Sequence, residues 1–381
     1  MRIISNILFL IFILSLLSCN PKTKTTGKAV KTYSIALNGS PSSDFYSQID
    51  TAYFIVPETN DSSIIGEIGQ AIVSDKLILT DRKTNKVLLF APNGRHLSTC
   101  EAIGNGPGEY VRIDGLFLHR TENKILILDA SRNKVLTYDS DFNFIEERPT
   151  PVPFGAVSFS MADDHTFVFE ESIGAVQSEL KYCLFIQDTK GETQSFLPFE
   201  QTASVHFSPR QSLYHVNDTL VFVPTYNDTL YNVFSDKVEP RFRIDFGEQW
   251  VDKDFVYDPN WGRDPMQFMQ KLADQKFIYF FNLLENRTHI YMDFYYKGEP
   301  YASIFDKRKE ESTWVKFDTP DAQMKPLTAY GDYYVFPVAR TEFAKIADNN
   351  SYQFKGKDAM TDIDSRLNEE SNPILMFIKF K

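Results

Sequence analysis

Six histidines (His96, His119, His165, His206, His215, His289) and two internal cysteines (Cys100, Cys183) are the side chains of this 381-residue chain best suited to bind a metal or to pair as nucleophile and base. Their spacings give neither chemistry. No H-x-x-x-H, H-E-x-x-H or C-x-x-C occurs, and no G-x-S-x-G turn marks an activated serine. No catalytic residue, cofactor or metal is expected unless the fold gathers these groups from distant positions. Asp139-Ser140-Asp141-Phe142-Asn143 begins like a calcium loop. Its sixth position is Phe144 where glycine is needed and its twelfth is Thr150 where a bidentate Glu is needed, so a hairpin turn is expected. Gly104-Asn105-Gly106-Pro107-Gly108 lacks both the phosphate-loop spacing and a following helix, and reads as a chain crossing with glycines at positive φ. Arg82, Arg132, Trp261 and Arg263 are the candidate ligand-facing residues, because Arg and Trp are frequent anchors of binding surfaces.

Cys19 carries a different chemistry. Arg2 followed by the apolar run Ile7–Leu17 has the form of a secretory signal, too short to span a membrane. Leu16-Leu17-Ser18-Cys19 resembles the bacterial lipobox, which implies removal of residues 1–18, acylation of Cys19 and anchoring to a lipid bilayer. Residues 20–31 (NPKTKTTGKAVK) lack apolar periodicity and read as a flexible tether, and 19–50 are assigned to the lipidated N-terminus and tether together. The 40 Lys and Arg against 51 Asp and Glu give a net charge of −11, which argues against nucleic acid as a partner. Removing residues 1–18 takes away one Arg and no acid, leaving 39 against 51, or −12.

The elements that must position any site are strands. Aromatic residues make up 14% of the chain, a composition suited to pleated surfaces. Lys76–Phe90 and Lys124–Tyr138 match at an offset of 48: an apolar run ending in Asp81 or Asp129, a turn containing Asn85-Lys86 or Asn133-Lys134, and a second run ending in an aromatic. With the flanking runs each unit holds four strands, and such a repeat marks propeller blades. Further blades are expected near 155–199, 205–246 and 277–317. A sixth, built from 327–338 and 372–381, is one strand short, and Thr51–Pro57 is expected to complete it and close the ring. The fold class is therefore all-β: a six-bladed β-propeller of four-stranded antiparallel blades spanning 51–381. Helical insertions are expected at 263–277, from the spacing of Met266, Met269, Leu272, Ala273 and Lys276, and within 340–372. Cys100 and Cys183 would fall in blades that do not touch, so both are expected as packed thiols.

Ile103–Tyr110 (IGNGPGEY), the terminal NPILMFIKFK, and Ile55-Val56-Pro57-Glu58-Thr59 followed by Ile64-Ile65-Gly66 resemble the six-bladed β-propeller lipoproteins of Bacteroidota, related in shape to NHL-repeat propellers. The resemblance implies an envelope protein anchored through Cys19, on the outer membrane. In lipoproteins of that kind an acidic cluster after the Cys accompanies surface export; here Lys22, Lys24, Lys28 and Lys31 stand nearby, which favours the periplasmic face. The function expected is non-catalytic binding of a glycan, peptide or protein partner through loops on one face. The alternatives are an enzyme, a lyase or glycoside-type hydrolase, with its site in a central channel, and a structural element of an envelope assembly with an apolar patch near 266–281.

Overall fold

An apolar run with no polar alternation, such as Leu77–Thr80 or Ile125–Leu128, is stable as a strand only when both of its faces are covered, and stacked small sheets provide that. The computed structural model describes residues 30–37, 40–42, 44–152, 156–171, 182–199, 205, 209–258, 260–261, 264–278, 281–320 and 322–381. Thr32–Lys381 is one compact unit, and its first strand starts one residue earlier. Strands β1 (Lys31–Ser34) and β2 (Ile49–Ile55) precede the blades. Blade one is β3 (Ile68–Val73), β4 (Leu77–Asp81), β5 (Lys86–Phe90) and β6 (His96–Cys100). Blade two is β7 (Gly115–His119), β8 (Lys124–Asp129), β9 (Lys134–Tyr138) and β10 (Phe144–Pro149). Blade three is β11 (Ala156–Asp163), β12 (Thr166–Glu171), β13 (Tyr182–Asp188) and β14 (Thr193–Pro198). Blade four is β15 (Leu213–Val216), β16 (Thr219–Phe222), β17 (Thr229–Val233) and β18 (Val238–Asp245). Blade five is β19 (Phe281–Glu285), β20 (His289–Tyr296), β21 (Glu299–Asp306) and β22 (Glu311–Lys316). Blade six is β23 (Thr328–Tyr330), β24 (Tyr333–Val338) and β25 (Ile374–Phe380), completed on its outer side by β2.

The ring closes as the sequence predicts: β2 pairs antiparallel with β25, placing Ala52 opposite Ile378 and Ile55 opposite Leu375. The 48-residue repeat also acquires a physical meaning. Asp81 accepts hydrogen bonds from the backbone N–H of Gly66 (3.2 Å), Glu67 (2.9 Å) and Lys83 (3.1 Å) and from the Thr84 hydroxyl (2.6 Å). Burial pushes its carboxyl up, but these bonds outweigh it and hold the pKa below the usual range. Asp129 repeats the arrangement, accepting from Val111 N at 2.7 Å and Ser131 Oγ at 2.5 Å. Each repeated Asp therefore ties the turn of its own blade to the crossing that enters it. The repeated asparagines occupy the left-handed region, Asn85 at φ 58° and Asn133 at φ 52°, which few other side chains tolerate.

The stretch before residue 50 is not all tether. β1 lies beside β18 and gives blade four a fifth strand. Ser42 bridges blade five, its N–H bonding Trp314 O at 2.9 Å while it accepts from Lys316 N at 3.0 Å. Aromatic burial fastens this strap: Tyr33 packs on Phe242 and Phe305, and Phe45 is buried among Tyr291, Phe317, Phe336 and Phe380.

Both insertions are helical. Helix Pro265–Asp274 is capped by the Asp264 side chain accepting from Gln267 N at 2.9 Å. Its buried face is Phe268 and Leu272, packed with Val251 and Val256, while Met266 is 77% exposed. The apolar patch expected near 266–281 is thus mostly core among the described residues, because the helix turns Phe268 rather than Met266 inward. Helices Arg340–Asp348 and Ala359–Asp364 bury Phe343, Ile346 and Met360, and the segment between them bridges the outer edge of blade six at Lys355–Thr51. Cys100 and Cys183 are free and buried. No described helix is long and apolar enough to cross a membrane.

Candidate functional site in the central channel

Because the strands that follow one another within each blade run outward from the innermost, the turns joining first to second strands lie at one mouth of the channel. The second-to-third turns lie on the opposite face, together with the crossings between blades. The innermost strands enclose a cavity of about 780 Å³, open at the first-to-second mouth. That size falls in the range of small-ligand pockets, roughly 300–1,000 Å³.

Its walls are Ile72, Leu116, Phe117, Phe159 and Leu284; its mouth is polar, with Arg120, Asp163, Asp164, His165, Asn217 and Asp218 from the turns of blades two, three and four. His119, His165 and His215, far apart in sequence, reach this cavity from three successive blades. They are not equivalent. Both ring nitrogens of His119 are engaged: Nδ1 accepts from Glu122 N at 3.3 Å, and Nε2 lies 3.0 Å from Asp164 O. His119 therefore locks the turns of blades two and three together. His215 faces the open channel, its Nε2 3.2 Å from Ser160 Oγ and its ring 5.9 Å from that of Phe117. It is nonetheless surrounded by protein, and burial, then Arg120, hold its pKa below the usual value against the Met161 backbone and Asp218. Among the described residues no group of three or more His, Cys, Asp or Glu side chains is placed to hold a metal ion. The arrangement supplies hydrogen-bond acceptors, one guanidinium and a flat aromatic surface, which is the chemistry of recognition.

The candidates read from sequence lie elsewhere. Arg82 and Arg132 sit in second-to-third turns, on the face opposite the cavity mouth. Arg82 is 3.5 Å from Glu67, and Arg132 bonds Asn105 Oδ1 of the glycine-rich crossing. Trp261 donates from Nε1 to Phe255 O at 2.7 Å and packs on Phe255 and Phe268, so it is a core piece of the helical insertion. Arg263 and Cys19 lie outside the described residues. In the glycine-rich crossing only Gly108 has positive φ (73°), with its carbonyl accepting from the Tyr138 hydroxyl at 2.7 Å. Gly104 lies close under the Glu109 carboxylate, which accepts from Gly106 N at 2.8 Å, so a Cβ there would push that side chain aside. The Asp139 turn is a hairpin turn, its carboxylate accepting from Asp141 N and Asn143 N.

The residues that line the cavity were missed because no local motif distinguishes them. Their signal was positional: Arg120–Asn123, Asp163–His165 and Asn217-Asp218 all stand where the repeat places the first turn of a blade.

Comparison with known proteins fits this architecture. A family model described as a 6-bladed beta-propeller matches residues 23–342. The solved structure of a Bacteroides fragilis protein described as exported superposes with a TM-score of 0.78 at 20% identity, over 92% of this chain and 100% of that one. A Bacteroides vulgatus protein gives a TM-score of 0.52 at 12% identity, over 87% and 97%. Virginiamycin B lyase from Staphylococcus aureus gives 0.42 at 11% identity, over 87% and 99%, a likeness too weak to carry chemistry. No curated protein matches the chain.

Proposed function

Since the chain belongs to this family of six-bladed β-propellers, we propose that it is a lipid-anchored envelope protein that binds a short glycan in its central cavity. The observation that carries the reading is the convergence of Asp163, Asp164, Asp218, His165 and Arg120 around the Phe117 and His215 rings. A sugar offers many hydroxyl donors on an apolar C–H face. Carboxylates accept from such hydroxyls, and a ring beside them covers the apolar face. A peptide strand presents as many carbonyl acceptors as N–H donors, and so matches three neighbouring carboxylates less well. Calorimetry against neutral di- to tetrasaccharides tests this: Phe117→Ala is expected to weaken binding about tenfold or more, while Arg82→Ala on the opposite face leaves it unchanged. Absence of binding by every sugar in the panel overturns the reading.

The anchoring half rests on Arg2, the apolar run 7–17 and Cys19, and the lysines that follow favour the periplasmic face. Fatty-acid labelling that persists in Cys19→Ala would refute it. A second reading, an enzyme working in the channel, has the Ser160–His215 contact in its favour. It predicts that an active-serine phosphonate labels the wild-type protein and not Ser160→Ala.

A further inference from the structure

A second concavity opens on the same face as the channel mouth. It is a radial cleft of about 450 Å³ between blades two and three, and it shares His119, Met161, Asp164 and His165 with the central cavity. At its outer end stands Arg148 of β10. The guanidinium lies over the Phe167 ring, 4.0 Å from its centroid. Nη2 donates to Gln187 Oε1 at 2.9 Å and to Asp188 O at 3.3 Å. The Gln187 amide is itself buried and oriented, donating to Thr193 Oγ1 at 3.2 Å.

The comparison with the other sheltered cations is what marks Arg148. Arg210 is paired with Asp293 at 2.6 Å, and Arg241 and Lys307 are each paired with Glu285 at 2.5 Å. Arg148 has a stacked ring and two neutral acceptors; Glu146 of its own strand and Asp188 act on its charge, but no carboxylate among the described residues lies within ion-pair distance of it. The nearest acid of blade three, Asp188, turns its carboxylate to Lys190 N and Glu192 N, 2.9 Å each. Nη1 and Nε bond nothing among the described residues, so a planar donor edge is held ready in a cleft that Lys190 also lines.

We propose that this cleft is a carboxylate subsite: it takes the uronic acid unit of an acidic oligosaccharide whose neutral units fill the central cavity. The inference rests on the glycan reading above and extends it. Asp163 and Asp218 line the central cavity alone, where they accept hydroxyls and repel a carboxylate. In the cleft Glu122 is paired with Lys124 at 2.5 Å, and Arg148 and Lys190 stand against Glu146 and the shared Asp164, so the attraction for a carboxylate is confined to the Arg148 end. The shared wall at His119 and Asp164 makes the two compartments continuous.

Two measurements on the purified full chain separate this inference from the reading beneath it. In the first, galacturonic acid and galactose are each titrated while the Arg148 side-chain Nε–H resonance is followed by NMR. A shift with the acid alone is expected. No shift with the acid, or an equal shift with both sugars, overturns the carboxylate subsite. In the second, a galactose tetramer with a single terminal galacturonic acid and a fully neutral galactose tetramer are compared by calorimetry. The acidic ligand is expected to bind about tenfold or more tighter, with Arg148→Gln abolishing that preference and leaving the neutral tetramer unaffected. Equal affinity of the wild type for both tetramers also overturns the subsite while the glycan reading stands. A shift with galacturonic acid but binding of neither tetramer upholds the subsite and sinks the cavity reading. Arg148→Gln must keep the wild-type melting temperature for these comparisons, and Arg148→Lys, which retains charge without the planar fork, is expected to recover only part of the preference.

Discussion

Blades four to six and blades one to three are built from the same unit and finished differently. In blades four to six the strap residues 31–37, 42 and 44–48 and the Lys355 bridge cover the outer edges, and one continuous core joins Ile35, Phe45, Phe246, Tyr291, Phe336 and Phe380 across all three blades. The interfaces one/two, two/three and three/four each hold a separate, smaller core. The outer strands β10 and β14 are largely exposed. The cleft and most of the polar cavity mouth belong to this second group of interfaces. The fastened half supplies rigidity, and the barer half is free to place charged turns and an incompletely paired arginine where packing alone would not favour them.

The comparison breaks first at Phe45. Phe45→Ala removes a buried ring touching five other aromatics and is expected to cost about 3–5 kcal/mol in urea denaturation. Phe142→Ala, a partly exposed ring in a blade-two turn, should cost about 1 kcal/mol. Equal costs would mean that the two halves are held alike.

Within the barer half, Glu170 of blade three tests how much unfavourable burial is tolerated. Burial raises its pKa to about 8, opposed by a hydrogen bond from the Ser212 hydroxyl. A carboxyl held neutral in the fold ionises first in the unfolded chain, so stability should fall as pH rises from about 4.5 to about 8 and level off above that. Glu170→Gln should flatten this dependence and be the more stable form at pH 8 by on the order of 3 kcal/mol. A wild-type urea midpoint that does not fall across that window would show that Glu170 is ionised.

The strap itself gives a smaller effect. Tyr33→Ala is expected to cost about 1–2 kcal/mol and to speed amide hydrogen exchange along β18, leaving β10 and β14 unchanged. Uniform acceleration in all three strands would sink the idea of a local edge cover. His215 gives the smallest. Its depressed pKa means that the unfolded chain takes up the proton first, so stability falls as pH drops below about 6.5. His215→Gln should remove that slope, worth under about 1 kcal/mol, and change nothing at pH 8.

The ring was legible because its signals are local. Asp81 and Asn85 recur as Asp129 and Asn133, each doing the same hydrogen-bonding or left-handed task in its own blade. The strap was not legible because Tyr33 and Phe45 lie in a polar, aperiodic stretch and are fixed by rings more than 190 residues away. The site was the least legible part. Phe117, His215 and Arg148 acquire their meaning from partners in other blades, such as Phe167 and Gln187 for Arg148, and nothing in their own flanking sequence marks them. Arg82, Arg132 and Trp261 stood out by residue type, but second-to-third turns and the helical insertion carry them away from the cavity mouth.

The pairing of β2 with β25 has a consequence in time. Residues 49–55 wait for partners at 374–380, so blade six stays open while the intervening five blades are synthesised. Neighbouring strands within those blades can pair early because their turns are short, but the ring latches only when a contact spanning more than 300 residues forms. Synthesis that stops before residue 374 would therefore leave a row of folded blades with an unpaired edge at each end. Cellular proteases and aggregation act on such edges, and the closing strand in effect reports that the blades before it have been made.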